Sequence, residues 1–120
     1  NQPLYNWLIR DIEESQIDAC IENNISVTPY RPLERGLLTG KYKRDESPPP
    51  NTRASEMPSS LNIDELSKDT YDKLEIFESE AKQSNLSPAQ YAIKWLLDKP
   101  VICSVVIGGK RLDQLNEFLA

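Results

Sequence analysis

The segment VICSVVI, Val101 to Ile107, sets the strongest limit on the fold. An almost unbroken apolar run leaves no polar face, the pattern of a strand covered on both sides within a parallel sheet. Helices must supply that cover, and the sequence carries them. In LSPAQYAIKWLLDKP, Ser87 is the N-cap, Pro88 the first helical residue, and Gln90 completes a capping box. Ala92, Trp95 and Leu96 form the buried face, and Lys99-Pro100 ends the helix. A second helix is expected over Asp64 to Gln83, with Leu66, Leu74, Phe77 and Ala81 on one face and Tyr71 beside it. A third is expected over Asp11 to Asn24, capped by Asp11 and buried along Ile17, Cys20 and Ile21. Ile25 to Tyr30 then reads as a short strand with β-branched Ile25, Val27 and Thr28. Pro29 lacks an N–H, so the strand must end there or lose a ladder bond. Leu112 to Leu119 is helical again.

The order is strand end, helix, strand, long loop, two helices, strand, helix. Strands separated by helices imply right-handed crossovers, a parallel sheet and the α/β class. Two strands and one strand end build neither a closed barrel nor a complete open sheet, so the core these faces expect lies elsewhere. Asn1-Gln2-Pro3 carries no initiator Met, and Ala120 interrupts a helical pattern. Both ends predict a piece of a longer chain, with sheet edges and apolar faces uncovered and weak folding on its own.

Composition removes several classes of function. The net charge is −5, whereas a nucleic-acid surface rewards a broad basic face. No apolar run reaches the roughly 18 residues of a membrane span, and no signal-peptide pattern opens the chain. Cys20 and Cys103 sit in apolar segments and are expected to be two buried free thiols in a cytoplasmic protein. There is no histidine, which takes away the commonest general base and metal ligand, and no metal site is expected.

Ligands of α/β folds sit at the carboxyl ends of the parallel strands. Three such ends occur here: NQPLYN, YRPLERG and IGGKR. In the third, Gly108 and Gly109 permit a tight turn with exposed N–H groups, and the next helix aims its own amides the same way. Lys110 and Arg111 would complete an anion pocket; equally, the residues fit a glycine turn with solvated cations. At the second end, Tyr30 is either a stacking surface for a flat ring or a core residue. Arg31, Arg35, Lys41 and Arg53 spread four cations along the loop that follows. That loop, Arg31 to Asn62, holds five prolines and is either a linker or a functional loop. ERGLLTGKY within it can hold a helical turn, and DESPPPN should be extended and mobile. Gln2, at the first end, is an amide able to hold another amide by paired hydrogen bonds.

The stretches NQPLYN, YRPLERGLLTGKY, TRAS, LSPAQYAIKWLL and VVIGGKRLDQLNEF resemble the aldo-keto reductase family, in the branch of bacterial general-stress reductases and potassium-channel β-subunits. They follow the family's order and spacing over nearly the whole chain. The resemblance implies a (β/α)8 TIM barrel that binds NADP(H) without a Rossmann motif. Residues 1–120 would then be a partial barrel, from the end of strand 6 to the start of helix 8, with a cofactor-clasp loop over about 31–62. It further implies NADPH-dependent reduction of aldehydes and ketones, with a small carbonyl compound as substrate and the missing N-terminal part of the barrel as partner. Gln2 would hold the nicotinamide carboxamide, and Tyr30 would stack on or border its ring. Arg31, Pro32, Leu33 and Arg35, with Lys41 and Arg53, would fold over the pyrophosphate and ribose. Gly108, Gly109 and Lys110 would receive the 2′-phosphate, with Gln114 and Glu117 near the adenine. Arg31 stands where the family usually has Ser, Pro29 where a smaller residue is commoner, and Phe118 where an Asn commonly contacts adenine. The family's catalytic Asp, Tyr, Lys and His come from the first half of the barrel, so no catalytic residue is expected in this chain and no activity from it alone. Two other readings remain at this point: an NADP(H)-binding regulatory subunit of the channel β-subunit type, and a stand-alone binding module.

Overall fold

The computed structural model describes residues 1–44, 47, 49–50, 52–57, 61, 66–108 and 111–119, the side chain of Arg53 excepted. Three extended segments lie side by side, residues 1–5, 26–30 and 101–106, with the second between the other two. Its amides alternate between neighbours, as a parallel arrangement requires. Thr28 and Tyr30 donate to the Asn1 and Pro3 carbonyls at 2.8 and 3.0 Å. Val27 donates to the Val101 carbonyl at 3.0 Å, and its own carbonyl accepts from Cys103 at 3.2 Å. Leu4 with Tyr30 and Val27 with Ile102 form isolated parallel bridges, so the expected strands over Ile25 to Tyr30 and Val101 to Ile107 are reduced to these contacts.

Pro29 explains the short pairing. It sits where the next amide toward the third segment is due and has none to give. Its carbonyl instead accepts from Val106 at 3.1 Å. Between Val27 and Pro29 the second segment advances two residues while the third advances three, from Cys103 to Val106, which is a bulge. Of the two outcomes the sequence allows, the lost ladder bond is the one realised.

Helices cover one side of this layer. After a 3₁₀ turn at Asp11–Glu13 comes α1, Gln16–Glu22. The helix expected over Asp11 to Asn24 is thus split and shorter, and Asp11 caps nothing: it opens the separate turn. A 3₁₀ turn at Leu37–Thr39 and a short α2, Arg53–Glu56, break the long loop, as ERGLLTGKY suggested for the first. Of DESPPPN, Asp45, Glu46, Pro48 and Asn51 lie outside the described residues. Helix α3, Lys68–Gln83, begins four residues later than expected, because Ser67 caps it, accepting from the Thr70 amide. Leu66 therefore precedes the helix, and Asp64 lies outside the described residues. Helix α4, Pro88–Leu97, has the expected capping box, with Ser87 and Gln90 exchanging side-chain to backbone bonds. Helix α5 is Leu112–Leu119.

Two apolar clusters hold these pieces. Tyr5, Ile12, Cys20, Val27, Leu96 and Ile102 pack between the extended layer and α1 and α4. Trp7, Leu37, Leu38, Tyr42, Leu74, Phe77 and Ala92 pack between α3, α4 and the long loop. Phe77 is fully buried, with its ring centroid 5.2 Å from Trp7 and 5.5 Å from Tyr91. Glu80 accepts from both partners, Trp7 Nε1 at 2.9 Å and the Tyr91 hydroxyl at 3.3 Å.

The other side of the layer is open. Gln2 and Thr28 are in register there, and Cys103 lies across from them with its Sγ 3.3 Å from Thr28 Oγ1. Cys20 is buried as expected, but Cys103 is exposed. The expectation of two buried thiols is corrected, because the bulge and the uncovered face leave the second without a lid. The radius of gyration is 14.8 Å, against about 13.6 Å for a compact domain of this length.

Two measurements check this packing. Ser87→Ala should cost about 1 kcal/mol in denaturant unfolding, since it removes the acceptor for the Gln90 amide. Burial foremost, and then the bond to Glu13, raises the Tyr5 phenol above its ordinary range. A raised folded-state value contributes stability in full below the unfolded phenol's pKa of about 10, and that stability is lost as pH climbs toward the folded value. Tyr5→Phe should accordingly show a shallower alkaline loss of stability above about pH 10 than the unmodified chain; identical alkaline slopes would count against the buried bond.

Candidate site at the carboxyl ends of the extended segments

The carboxyl end of the second segment is where the candidate residues gather. Tyr30 keeps 38 % of its surface exposed. The Arg31 guanidinium carbon lies 5.9 Å from its ring centroid. Gln2, also exposed, stands on the adjoining segment, two residues before Leu4, which bridges to Tyr30. From the other side, the Val106–Pro29 bond leads the third segment past Tyr30 toward Gly108. Among the described residues Gly108 faces open space: an added Cβ would meet none of them within 4 Å.

Beneath this surface the loop is built on buried polar contacts that sequence reasoning missed. Asn6 is fully buried, and its Oδ1 accepts from the Leu8 and Ile9 amides at 2.8 and 2.7 Å. Its Nδ2 donates to the Arg31 carbonyl and to Glu34 Oε2, both at 2.9 Å. Glu34 is also buried, and its other oxygen pairs with Arg35 Nε at 3.0 Å. The loop turns through left-handed backbone at Arg31, Glu34, Arg35 and Gly36. Asn next to a strand end, and one carboxylate amid several cations, were the available signals.

The four loop cations divide accordingly. Arg31 and Lys41 are exposed, Arg35 is tied to Glu34, and the Arg53 side chain lies outside the described residues. Pro32 is buried and Leu33 packs against the core, so those two anchor the loop. Leu37 and Leu38 pin its middle, and Gly40, at φ +78°, lets the chain pass within van der Waals reach of Pro88. Farther on, Lys43 bonds Glu78, and Arg44 bonds Asp72 and Glu75 on α3.

Gly109 and Lys110 lie outside the described residues. Arg111, just before α5, is paired with Asp113 in the first turn through both carboxylate oxygens, at 3.0 and 3.2 Å. The bond to Arg111 holds the Asp113 carboxyl below its ordinary range. That acid offsets the unfavourable charge of Arg111 at the helix start. Gln114 Oε1 accepts from the Arg111 amide at 3.2 Å. Glu117 accepts the Ser87 hydroxyl with its side chain and Gln90 Nε2 with its carbonyl, so α5 is docked on the head of α4 beside the turn carrying Lys41.

The larger cleft described, about 640 Å³, lies elsewhere. It is lined by Ile17, Cys20, Ile21, Ser26, Pro100 and Val101 among others, toward the amino ends of the second and third segments. Carboxyl-end chemistry does not use that side.

The geometry agrees with what the chain is similar to. A glycerol dehydrogenase from Gluconobacter oxydans (AKR11B4), a TIM-barrel aldo-keto reductase, superposes with a TM-score of 0.70 at 28 % identity, over 97 % of this chain and 35 % of that one. L-glyceraldehyde 3-phosphate reductase of Escherichia coli is 33 % identical over 119 residues, which is 98 % of this chain and 34 % of that protein. A probable voltage-gated potassium channel subunit beta of Arabidopsis thaliana is 32 % identical over 97 % of this chain and 36 % of its own length. The chain thus spans about a third of these relatives, and its α/β fold corresponds to part of a barrel. The sequence pattern of the Aldo/keto reductase family matches residues 1–120, and this chain belongs to that family.

Proposed function

We propose that this chain is the cofactor-holding part of an NADPH-dependent aldo-keto reductase, and that the whole protein reduces aldehydes or ketones to alcohols. The observation that carries this reading is the exposed pair Tyr30 and Arg31 at the carboxyl end of the second segment, with exposed Gln2 on the same open face of the parallel segment beside it. Their chemistry fits a phosphorylated dinucleotide: an exposed amide, an exposed ring with a cation over it, a second exposed cation at Lys41, and open backbone at Gly108.

When bound, the nicotinamide supplies hydride to the carbonyl carbon. This chain's residues hold and orient. Gln2 engages the carboxamide by paired hydrogen bonds, and Tyr30 borders the ring. Arg31, Lys41 and Arg53 answer the pyrophosphate and ribose, with Pro32, Leu33 and Arg35 fixing the loop that bears them. Gly108, Gly109 and Lys110 receive the 2′-phosphate, and Gln114 and Glu117 lie near the adenine. Because Arg111 is already paired with Asp113, Lys110 is the cation assigned to the 2′-phosphate. The proton for the developing alkoxide comes from outside this chain, which is inactive by itself.

A second reading, a nucleotide-binding regulatory subunit, is favoured by the channel subunit beta relative, which is nearly as similar as the reductase. An Asp, Tyr, Lys and His set in the rest of the protein distinguishes the enzyme from it.

Titration of the whole protein with NADPH and NADH tests the site. Lys110→Glu should weaken NADPH binding by about tenfold or more, the worth of one charge-assisted bond, while sparing NADH. Unchanged NADPH affinity would sink the 2′-phosphate assignment.

A further inference from the structure

Arg31 is exposed, left-handed at φ +56°, and poised over Tyr30, and beyond that ring its side chain has no hydrogen bond or ion pair among the described residues. What fixes it lies underneath. Asn6 uses the full capacity of its amide: two donors spent on Arg31 and Glu34, two acceptor sites filled by Leu8 and Ile9. Three of these four partners are backbone groups, so Asn6 fastens the turn after the first segment to the turn after the second. Glu34 is a carboxylate at 1 % exposure, and a charge so placed requires a counter-ion. Arg35 supplies it. The two arginines of one short loop therefore have different fates: Arg35, half-buried, is tied to Glu34 as its counter-ion, and Arg31 is left outward.

We propose that Asn6 and Glu34 are positioning residues that present Arg31 to the phosphates of a bound nucleotide. The proposal rests on the nucleotide reading given above. Asn6 holds the Arg31 carbonyl and so selects the left-handed backbone that a non-glycine residue otherwise avoids. Glu34 locks Asn6 from the other side and keeps Arg35 out of competition for the same anion.

The test uses the whole protein with NADPH titration and, without cofactor, amide hydrogen exchange. Arg31→Ala and Asn6→Ala should each weaken NADPH binding by about tenfold, and the double variant should be no weaker than either alone to within about twofold. Glu34→Ala should behave like Asn6→Ala. Glu34→Gln, which keeps an acceptor for Asn6 Nδ2, should retain most of the affinity. In the cofactor-free protein the Leu8 and Ile9 amides should exchange faster in Asn6→Ala and not in Arg31→Ala. Losses that multiply in the double variant, or equal losses in Glu34→Gln and Glu34→Ala, overturn the positioning role while leaving the nucleotide reading intact. An Arg31→Ala affinity equal to the unmodified protein's overturns it too, and Lys110→Glu then reports on the nucleotide reading separately. Absence of any NADPH binding overturns both. Should Asn6→Ala fail to fold, the Glu34→Gln and Glu34→Ala variants combined with Arg31→Ala give the same cycle.

Discussion

Residues 27–30 are the axis of the structure. Their backbone groups bond in alternation to the segments on either side, and among the described residues no other backbone stretch bonds to both. The pairing fixes which side chains face the helices and which face the open side: Val27 and Ile102 go under α1 and α4, while Gln2, Thr28 and Tyr30 do not. It also brings three loops together that are far apart in sequence, after Leu4, after Tyr30 and after Val106. A proline in this axis costs one bond and produces one bulge, and the arrangement survives because the other bonds remain.

Above that axis the loops are ordered by buried polarity rather than by helices or strands. Buried Asn6 and Glu34 join the first two loops, while half-buried Ser87 and Glu117 join α4 to α5. Such contacts are specific because a buried amide or carboxylate without its partners costs more than an exposed one. A loop meant to present one cation and withhold another is suited to that kind of fastening.

The sequence was most legible where a local rule acts alone. The capping box of α4 and the span of α5 needed only nearest neighbours, and both match. The buried face of α3, Leu74, Phe77 and Ala81, also follows from helical spacing. Its start does not, since helical spacing marks a buried face without marking a first residue, and Ser67 caps the helix by accepting from the Thr70 amide. The helix expected from Asp11 fails for the same reason: Ile12 is pulled into the core in a separate 3₁₀ turn, and the helical repeat restarts at Gln16. Cys103 is exposed despite its apolar neighbours in sequence, because hydrophobic context leads to burial only where a partner surface exists to bury against.

At the candidate site, Tyr30, Arg31 and Gln2 could be named from the sequence because exposed chemistry at strand ends has a recognisable composition. Which arginine faces outward could not. Arg31 and Arg35 are alike as letters, and the choice rests on a buried carboxylate that needs one of them and an amide 25 residues away that holds the other's backbone. The sequence by itself determined the capping box of α4, the span of α5, the buried face of α3 and the resemblance to the family. Tertiary structure alone decided the register, the bulge and the division of charge, because each depends on the energy of burying a polar group against a residue distant in the chain.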